Sequence, residues 1–241
     1  MARSLAFTSY LICMGSLFAA QINAATFEIG RASVEMPAGE WKQVTASEGE
    51  VLLDGGASGR IPTDDRAFGL MHGERVAAIL LISSSKGGIV VKTNWMNSCA
   101  GTKISYASNT AYHLNGLACA RATGRLNTIA YLKRAVPKMF RELEALEPAL
   151  PPISRSVSAV VANDYGTMLY VNLVAAPAFA GSPEKPLENV PAGVNPRHAA
   201  WADRLAVAIR DSVYSLSGKL VIPSVEFSTS PSSAKQGTPS K

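Results

Sequence analysis

The sequence predicts an α+β fold, in which an antiparallel sheet built from hairpins has helices packed on it and one disulfide closes a loop. Three observations predict this class. Short apolar runs joined by glycine- and asparagine-containing turns indicate hairpins. Two regions with apolar residues at spacings of three and four indicate helices. Strand groups separated by these helices, without repeated single-strand crossovers, favour α+β over a parallel α/β sheet.

The N-terminal 24 residues have the three-part layout of a secretory signal peptide. Arg3 is followed by an uncharged stretch from residue 5 to residue 20, and small residues surround a cleavage site at Ala24. The apolar stretch is too short and too rich in Ser, Thr and Gly for a membrane span of about 20 residues. The sequence therefore predicts a periplasmic or secreted protein with no transmembrane segment in its mature form.

Removal of the leader changes the cysteine count from odd to even. The chain has three cysteines, and Cys13 leaves with the signal peptide, so that Cys99 and Cys119 remain. In an oxidising compartment the simplest expectation is one disulfide. A loop of this size gives about 3 kcal/mol of stabilisation in the chain-entropy treatment. Two isolated cysteines cannot supply the four ligands of a structural metal site, so we predict no metal.

The first half of the mature chain is expected to form strands. Residues 26–36 give two short strands around Gly30, where the apolar phase changes. Residues 38–44 and 50–56 are expected to form two further short strands. The clearest hairpin covers residues 66–85 and turns at His72-Gly73, and its second strand is too apolar to be an exposed edge.

A helical region follows over residues 127–148, and Pro137 interrupts it. Proline removes a hydrogen-bond donor and clashes with the preceding turn, so two interpretations remain open. Either one helix kinks at Pro137, or a first helix ends near Ala135 and Pro137 opens a second.

The second half returns to strands and ends in a helix. Residues 156–176 form a hairpin, with Asn163, Asp164 and Gly166 as turn residues. Its strands are apolar on both faces, which is typical of central strands covered on both sides. Asn195 is the predicted N-cap of the last helix, Pro196 its first residue and Gly218 the residue just past its end. The predicted apolar stripe comprises Trp201, Leu205, Ile209 and Leu216.

These elements make residues 25–222 one α+β domain. The open alternative is two closely packed halves that meet near residue 150. Residues 223–241 are rich in Ser, Pro and Thr and are predicted to be a disordered tail. The formal net charge is +5, and loss of the leader with its single Arg3 lowers it to +4. This mild positive charge fits an anionic surface polymer or lipid, and no basic run indicates nucleic acid.

The stretch between the two cysteines is the leading candidate for a binding surface. It contains Tyr106, Asn109, Tyr112 and His113, a polar and aromatic group of the kind that recognition loops use. The same residues also fit a pair of strands closed by the disulfide, and the two interpretations are compatible.

An alternative site lies around the first hairpin. Asp64, Asp65, His72 and Glu74 are close in sequence, and a carboxylate–imidazole pair is the basis of general base catalysis in a hydrolase. The simpler interpretation is that these are residue types that turns and loops prefer. The sequence has no Gly-x-Ser-x-Gly elbow and no phosphate-binding glycine loop, so we predict no catalytic residue and no cofactor.

Several short motifs resemble those of small exported proteobacterial proteins without an assigned activity. They are the signal peptide, "MPAGEW", "NWMNSC" with a second cysteine about 20 residues later, "AAPAFAG" and "HAAW". An early Pro-x-Gly-x-Trp also resembles the opening of α+β modules of the PsbP/Mog1 type, which serve as binding or assembly factors. The missing catalytic constellation and the aromatic, polar segment between the cysteines predict a non-enzymatic protein that binds an envelope protein or an anionic surface polymer.

Overall fold

The computed structural model of the protein describes residues 25–52, 60–87, 95, 99, 105–109, 116–163, 165–181 and 187–227. The predicted signal peptide and Cys13 lie outside these residues. The strands are β1 (Thr26–Ile29), β2 (Ala32–Glu35), β3 (Glu40–Leu52), β4 (Arg60–His72), β5 (Arg75–Ser85), β6 (Ser105–Asn109), β7 (Leu117–Thr123), β8 (Leu126–Asn127), β9 (Ile153–Ala162), β10 (Met168–Ala175), β11 (Phe179–Gly181), β12 (Lys219–Val221) and β13 (Glu226–Phe227). The helices are α1 (Thr128–Ala135), α2 (Phe140–Glu144) and α3 (Pro196–Val213).

The structure is mostly antiparallel sheet, as the sequence predicts. The main sheet has the order β3-β4-β5-β10-β9-β7-β6, and β8 pairs beside it with β9. Every neighbouring pair in this order is antiparallel. Because β5 pairs with β10, strands from both sides of residue 150 belong to one sheet. A smaller sheet contains β1, β2 and β12, and β11 pairs with β13.

Helices cover the two opposite faces of the main sheet. Along β5, Leu80 packs in the cluster that contains α3, while its neighbours Ile79 and Leu81 pack in the cluster that contains α1 and α2. Successive side chains of a strand point to opposite faces, which explains why this central strand is apolar throughout. On the α3 side, Trp201 and Leu205 are fully buried.

The first hairpin and the second hairpin form where the sequence predicts them. His72 pairs with Arg75, which leaves Gly73 and Glu74 as a two-residue loop. Gly73 has φ +63° at the first loop position, a conformation that glycine adopts without steric cost. In the second hairpin, the Asn163 side chain accepts hydrogen bonds from the backbone N–H groups of Tyr165 and Thr167. Asp164 lies outside the described residues.

Two expectations about the first half and the middle need revision. Residues 40–52 form one 13-residue strand rather than two short ones. A bulge between Gln43 and Thr45 shifts the register against β4 and breaks the alternation that would have indicated a single strand. In the helical region, α1 ends at Ala135 and α2 begins at Phe140. The break after Ala135 agrees with the second interpretation, but Pro137 lies in the turn between the helices and does not open α2.

The last helix begins as predicted and ends earlier. The Asn195 side chain accepts a hydrogen bond from the Arg197 N–H, but the helix stops at Val213. Serine side chains after that point bond to nearby backbone groups and compete with the helix: Ser215 Oγ donates to the Ser212 carbonyl. Leu216 is consequently fully exposed and does not extend the apolar stripe.

Part of the predicted tail belongs to the fold. Residues 223–227 lie in the described structure, and β13 pairs with β11 through Phe227 and Phe179. The Trp201 indole N–H donates to the Ser224 carbonyl at 3.0 Å and holds this segment against α3. These tertiary contacts outweigh the polar composition on which the prediction of disorder rested. Residues 228–241 lie outside the described residues.

Candidate functional site

The four residues of the predicted hydrolase site do not converge. Asp64 and Asp65 lie near the middle of β4, whereas His72 is the last residue of the same strand and Glu74 lies in the loop beyond it. The seven residue steps from Asp65 to His72 span about 23 Å of extended chain. Groups this far apart cannot share a proton or a metal ion, since both need contact near 3 Å. This arrangement overturns the proximity that the sequence implied.

The two aspartates have structural partners instead. Asp64 forms an ion pair with Arg66 at 2.9 Å and accepts a hydrogen bond from the Gly30 N–H at 3.2 Å. Asp65 accepts a hydrogen bond from the Ser83 hydroxyl at 2.6 Å, across the pair that these residues form between β4 and β5. Both carboxylates thus link neighbouring segments. Within the described ranges, no three His, Cys, Asp or Glu residues are grouped to hold a metal.

The predicted disulfide is present. The sulfur atoms of Cys99 and Cys119 lie 1.98 Å apart, and the two cysteines are separated by 20 positions in sequence. Cys119 is a buried residue of β7, so the bond ties the preceding segment to an inner strand of the main sheet. The disulfide is compatible with an extracytoplasmic location.

Two of the four predicted binding residues lie in the described structure, on the edge strand β6. Asn109 is exposed and lies opposite Cys119 in the β6–β7 register. The Tyr106 hydroxyl donates a hydrogen bond to Asp203 Oδ2 on α3 at 2.7 Å. The hydroxyl of Tyr106 is therefore already used within the fold. Tyr112 and His113 lie outside the described residues, so the recognition role of this segment stays a prediction.

A cleft of about 890 Å³ lies beside the turn of the first hairpin, which joins β4 to β5. Five separate segments build it: residues 38–40 before and at the start of β3, the hairpin residues 70–72 and 75–77, the segment 148–152, Ala176 with Ala178, and Val225. A volume in this range is typical of small-molecule and cofactor sites. The cleft is therefore the main candidate for a binding site in the described part of the chain.

One wall of the cleft is a proline segment with fixed geometry. Pro148, Pro151 and Pro152 flank Ala149 and Leu150 along this wall. Proline has no backbone N–H and a fixed φ, so the wall is both apolar and stiff. The segment is anchored to the start of α1, because the Thr128 N–H donates to the Pro152 carbonyl at 3.1 Å. Such a wall needs little ordering when a ligand binds.

Gly39, in another part of the lining, has a backbone conformation that favours glycine. Gly39 has φ +136°, and a Cβ at this position would lie 2.6 Å from Leu70 Cδ1. Both residues line the cleft. The absence of a side chain lets the β2–β3 connection approach the hairpin closely and adopt a backbone conformation that other residues rarely reach.

The polar lining residues lie at the exposed mouth. His72 and Arg75 are both exposed and form a directly opposed pair across the hairpin. Opposed residues in an antiparallel pair project to the same face with their Cβ atoms about 5 Å apart. The third polar residue, Glu40, forms an ion pair with Lys42 at 2.8 Å. No side-chain hydrogen bond or ion pair joins His72 or Arg75 to another described residue.

Sequence reasoning found His72 but missed the cleft around it. The prolines at 148, 151 and 152 were informative only as the end of a helical region. A cluster of three prolines beside alanine and leucine is a local sign of a stiff apolar segment. Its partners come from sequence positions up to about a hundred residues away, so no local pattern reveals the site.

Fold and site together define a strand-rich protein with a disulfide and an apolar cleft whose mouth carries Arg75, His72 and Glu40. Comparison with protein-family models, curated proteins and solved structures finds no match for this chain. Among the helices of the described ranges, none has the length and apolar character needed to cross a membrane.

Proposed function

We propose that this chain is an exported, non-enzymatic α+β binding protein of the periplasm or cell envelope, and that the cleft beside the first hairpin is its binding site. The cleft is the single observation that carries this proposal. An apolar cavity with a few polar groups at its mouth is the usual form of a ligand site. Its lining contains no aligned nucleophile and base, which favours binding over catalysis.

The contacts around the cleft support a preformed site. Ala176 N–H donates to the Ala77 carbonyl at 3.0 Å and joins two lining segments directly. Leu150 N–H donates to the Leu146 carbonyl at 3.1 Å and fixes the proline wall at its other end. Because the walls are held by backbone hydrogen bonds, a ligand gains apolar contact without the cost of ordering loops.

A neutral apolar dye such as N-phenyl-1-naphthylamine tests the site. Its fluorescence should rise saturably with protein, since transfer of the dye into the cleft removes it from water. Ala178→Trp places a large ring at an exposed lining position and should weaken binding at least tenfold. Ala130→Trp, on the exposed surface of α1, is the matched control and should bind as the parent does.

Thermal melting of both variants separates a blocked cleft from a damaged fold. Equal dye binding by Ala178→Trp and the parent, with both proteins folded, would place the binding elsewhere. Absence of saturable binding by the parent would remove the cleft as the site and with it the basis of the proposal.

Export is tested separately. Expression of the full chain in a Gram-negative host should deliver the protein to the osmotic-shock fraction with Ala25 as its first residue, because residues 1–24 have the signal-peptide layout. An unprocessed chain that begins at residue 1 and stays in the cytoplasm would contradict the localisation while leaving the binding experiment unaffected.

A further inference from the structure

Two polar lining residues of the cleft, His72 and Arg75, lie together at the turn of the first hairpin. Arg75 lies at the exposed mouth and makes no ion pair within the described residues, and His72 lies directly opposite it in the hairpin. A guanidinium group presents five N–H donors in a planar fork that matches carboxylate and phosphate oxygens. These two side chains form the polar end of the site.

Two described acidic residues lie near this end, and neither forms an ion pair with Arg75. Glu40 lines the cleft, but its carboxylate is 2.8 Å from Lys42 Nζ. Glu74 occupies the hairpin loop between His72 and Arg75 and is exposed to solvent, outside the lining. Glu40 is balanced by Lys42. Glu74 matches Arg75 in magnitude of charge but forms no ion pair with it, so the guanidinium stays available to an anionic group.

The remainder of the lining is apolar. Leu70, Val76 and Leu150 are nearly buried, with 8%, 2% and 8% of their surfaces exposed, and the proline wall continues their surface outward. A ligand that fills such a site needs a hydrocarbon part for the walls and an anionic group for Arg75. Each methylene that leaves water contributes about 0.8 kcal/mol, which corresponds to about fourfold in affinity.

We propose that the cleft binds a single-chain amphiphile, with its anionic head group on Arg75 and its hydrocarbon chain along the wall formed by residues 148–152. This inference rests on the proposed function and specifies its ligand class. Arg75 holds the head group, His72 provides a second donor beside it, and the proline wall receives the chain.

Three matched C12 probes, dodecanoate, dodecanol and dodecyltrimethylammonium, separate head-group recognition from apolar burial. Each is titrated at monomer concentrations as a competitor of the neutral dye. Dodecanoate should bind at least tenfold more tightly than dodecanol, since hydrogen bonds to a charged group contribute more than neutral ones. The ammonium compound should bind most weakly. Decanoate should bind about 16-fold more weakly than dodecanoate, because it has two fewer methylenes.

Substitution of Arg75 tests its role. Arg75→Gln should reduce dodecanoate affinity at least tenfold and leave dodecanol affinity within twofold, and Arg75→Lys should retain part of the preference as a point charge. Arg134→Gln, at the exposed end of α1 and outside the lining, is the matched control and should leave both affinities unchanged.

The outcomes distinguish this inference from the proposed function. Equal binding of dodecanoate and dodecanol, or an unchanged preference in Arg75→Gln, would overturn the ligand class while the cleft remained a binding site. Binding to anionic phospholipid vesicles without binding of monomeric dodecanoate would replace it with a membrane-surface contact. Failure of all probes, the neutral dye included, would remove both proposals.

Discussion

The hydroxyl of Tyr106 on the edge strand β6 donates a hydrogen bond to Oδ2 of Asp203 on α3, at 2.7 Å. Burial, together with this hydrogen bond, raises the pKa of Tyr106 to about 12. Burial also raises the pKa of the Asp203 carboxyl, and the hydrogen bonds from Tyr106 and Ser108 oppose that rise. A residue that the sequence assigns to recognition thus connects the last strand of the sheet to the helix that covers it.

Tyr106→Phe should therefore lower the free energy of unfolding by about 1–3 kcal/mol, because it leaves the half-buried Asp203 carboxylate with one donor fewer. Urea denaturation measures this change. Tyr165→Phe is the matched control, since Tyr165 is 61% exposed in the second hairpin turn. Unchanged stability of Tyr106→Phe would show that the hydrogen bond to Asp203 does not stabilise the fold.

The disulfide should account for a similar part of the stability. Replacement of both Cys99 and Cys119 by Ala should cost about 3 kcal/mol, because the bond closes a loop of about 20 residues in the unfolded chain. Chemical denaturation of the chain that begins at Ala25 provides the measurement. A thiol count on the same protein without reductant should find no free cysteine. Two free thiols would contradict the pairing.

His198 should make the protein less stable in acid. Burial, with a smaller contribution from Arg155, lowers its pKa to about 4, and the hydrogen bond that Nε2–H donates to the Phe179 carbonyl at 2.8 Å opposes this shift. The unfolded chain keeps the ordinary value near 6.5, so it binds more protons than the folded chain between these pH values. Stability is complete above about pH 6.5 and falls as the pH drops towards 4, by about 3 kcal/mol at most.

Unfolding curves between pH 4 and pH 7 measure this slope. His198→Gln should flatten it, because the amide can donate to the Phe179 carbonyl and does not titrate. The variant His113→Gln is the matched control, at a histidine outside the described residues. An equally steep slope in His198→Gln would assign the acid sensitivity to other groups.

Asn172, Ser156 and Tyr131 form a triangle of hydrogen bonds that should hold α1 on the sheet, and its third side joins the Tyr131 and Ser156 hydroxyls at 3.0 Å. Asn172 is fully buried, its Oδ1 accepts from Ser156 at 2.7 Å and its Nδ2 donates to the Tyr131 hydroxyl at 2.8 Å. Asn172→Ala should cost about 2 kcal/mol, since two buried hydroxyl groups each lose a partner. Its effect should be non-additive with that of Tyr131→Phe by at least 0.5 kcal/mol in a double-mutant cycle. Strict additivity would show that the triangle does not act as a unit.

Local patterns predict most of the secondary structure. The cap at Asn195, the Gly73 turn and the two-sided apolar character of β5 and β10 depend on neighbouring residues only. The errors occur where distant contacts decide the outcome. The bulge after Gln43 follows from pairing with β4, and the order of residues 223–227 follows from β11 and Trp201.

The sequence by itself determined the antiparallel, hairpin-built sheet and the pairing of Cys99 with Cys119, because periodicity, turn chemistry and cysteine count are local or countable properties. Export stays a prediction. Only the tertiary structure decided which polar residues are available for function. It separated Asp65 from His72 along one strand, used the Tyr106 hydroxyl to bind Asp203, and placed Arg75 at the mouth of a cleft assembled from distant segments. The physical reason is that a site depends on which side chains meet in space, and strand register and sheet order set those meetings.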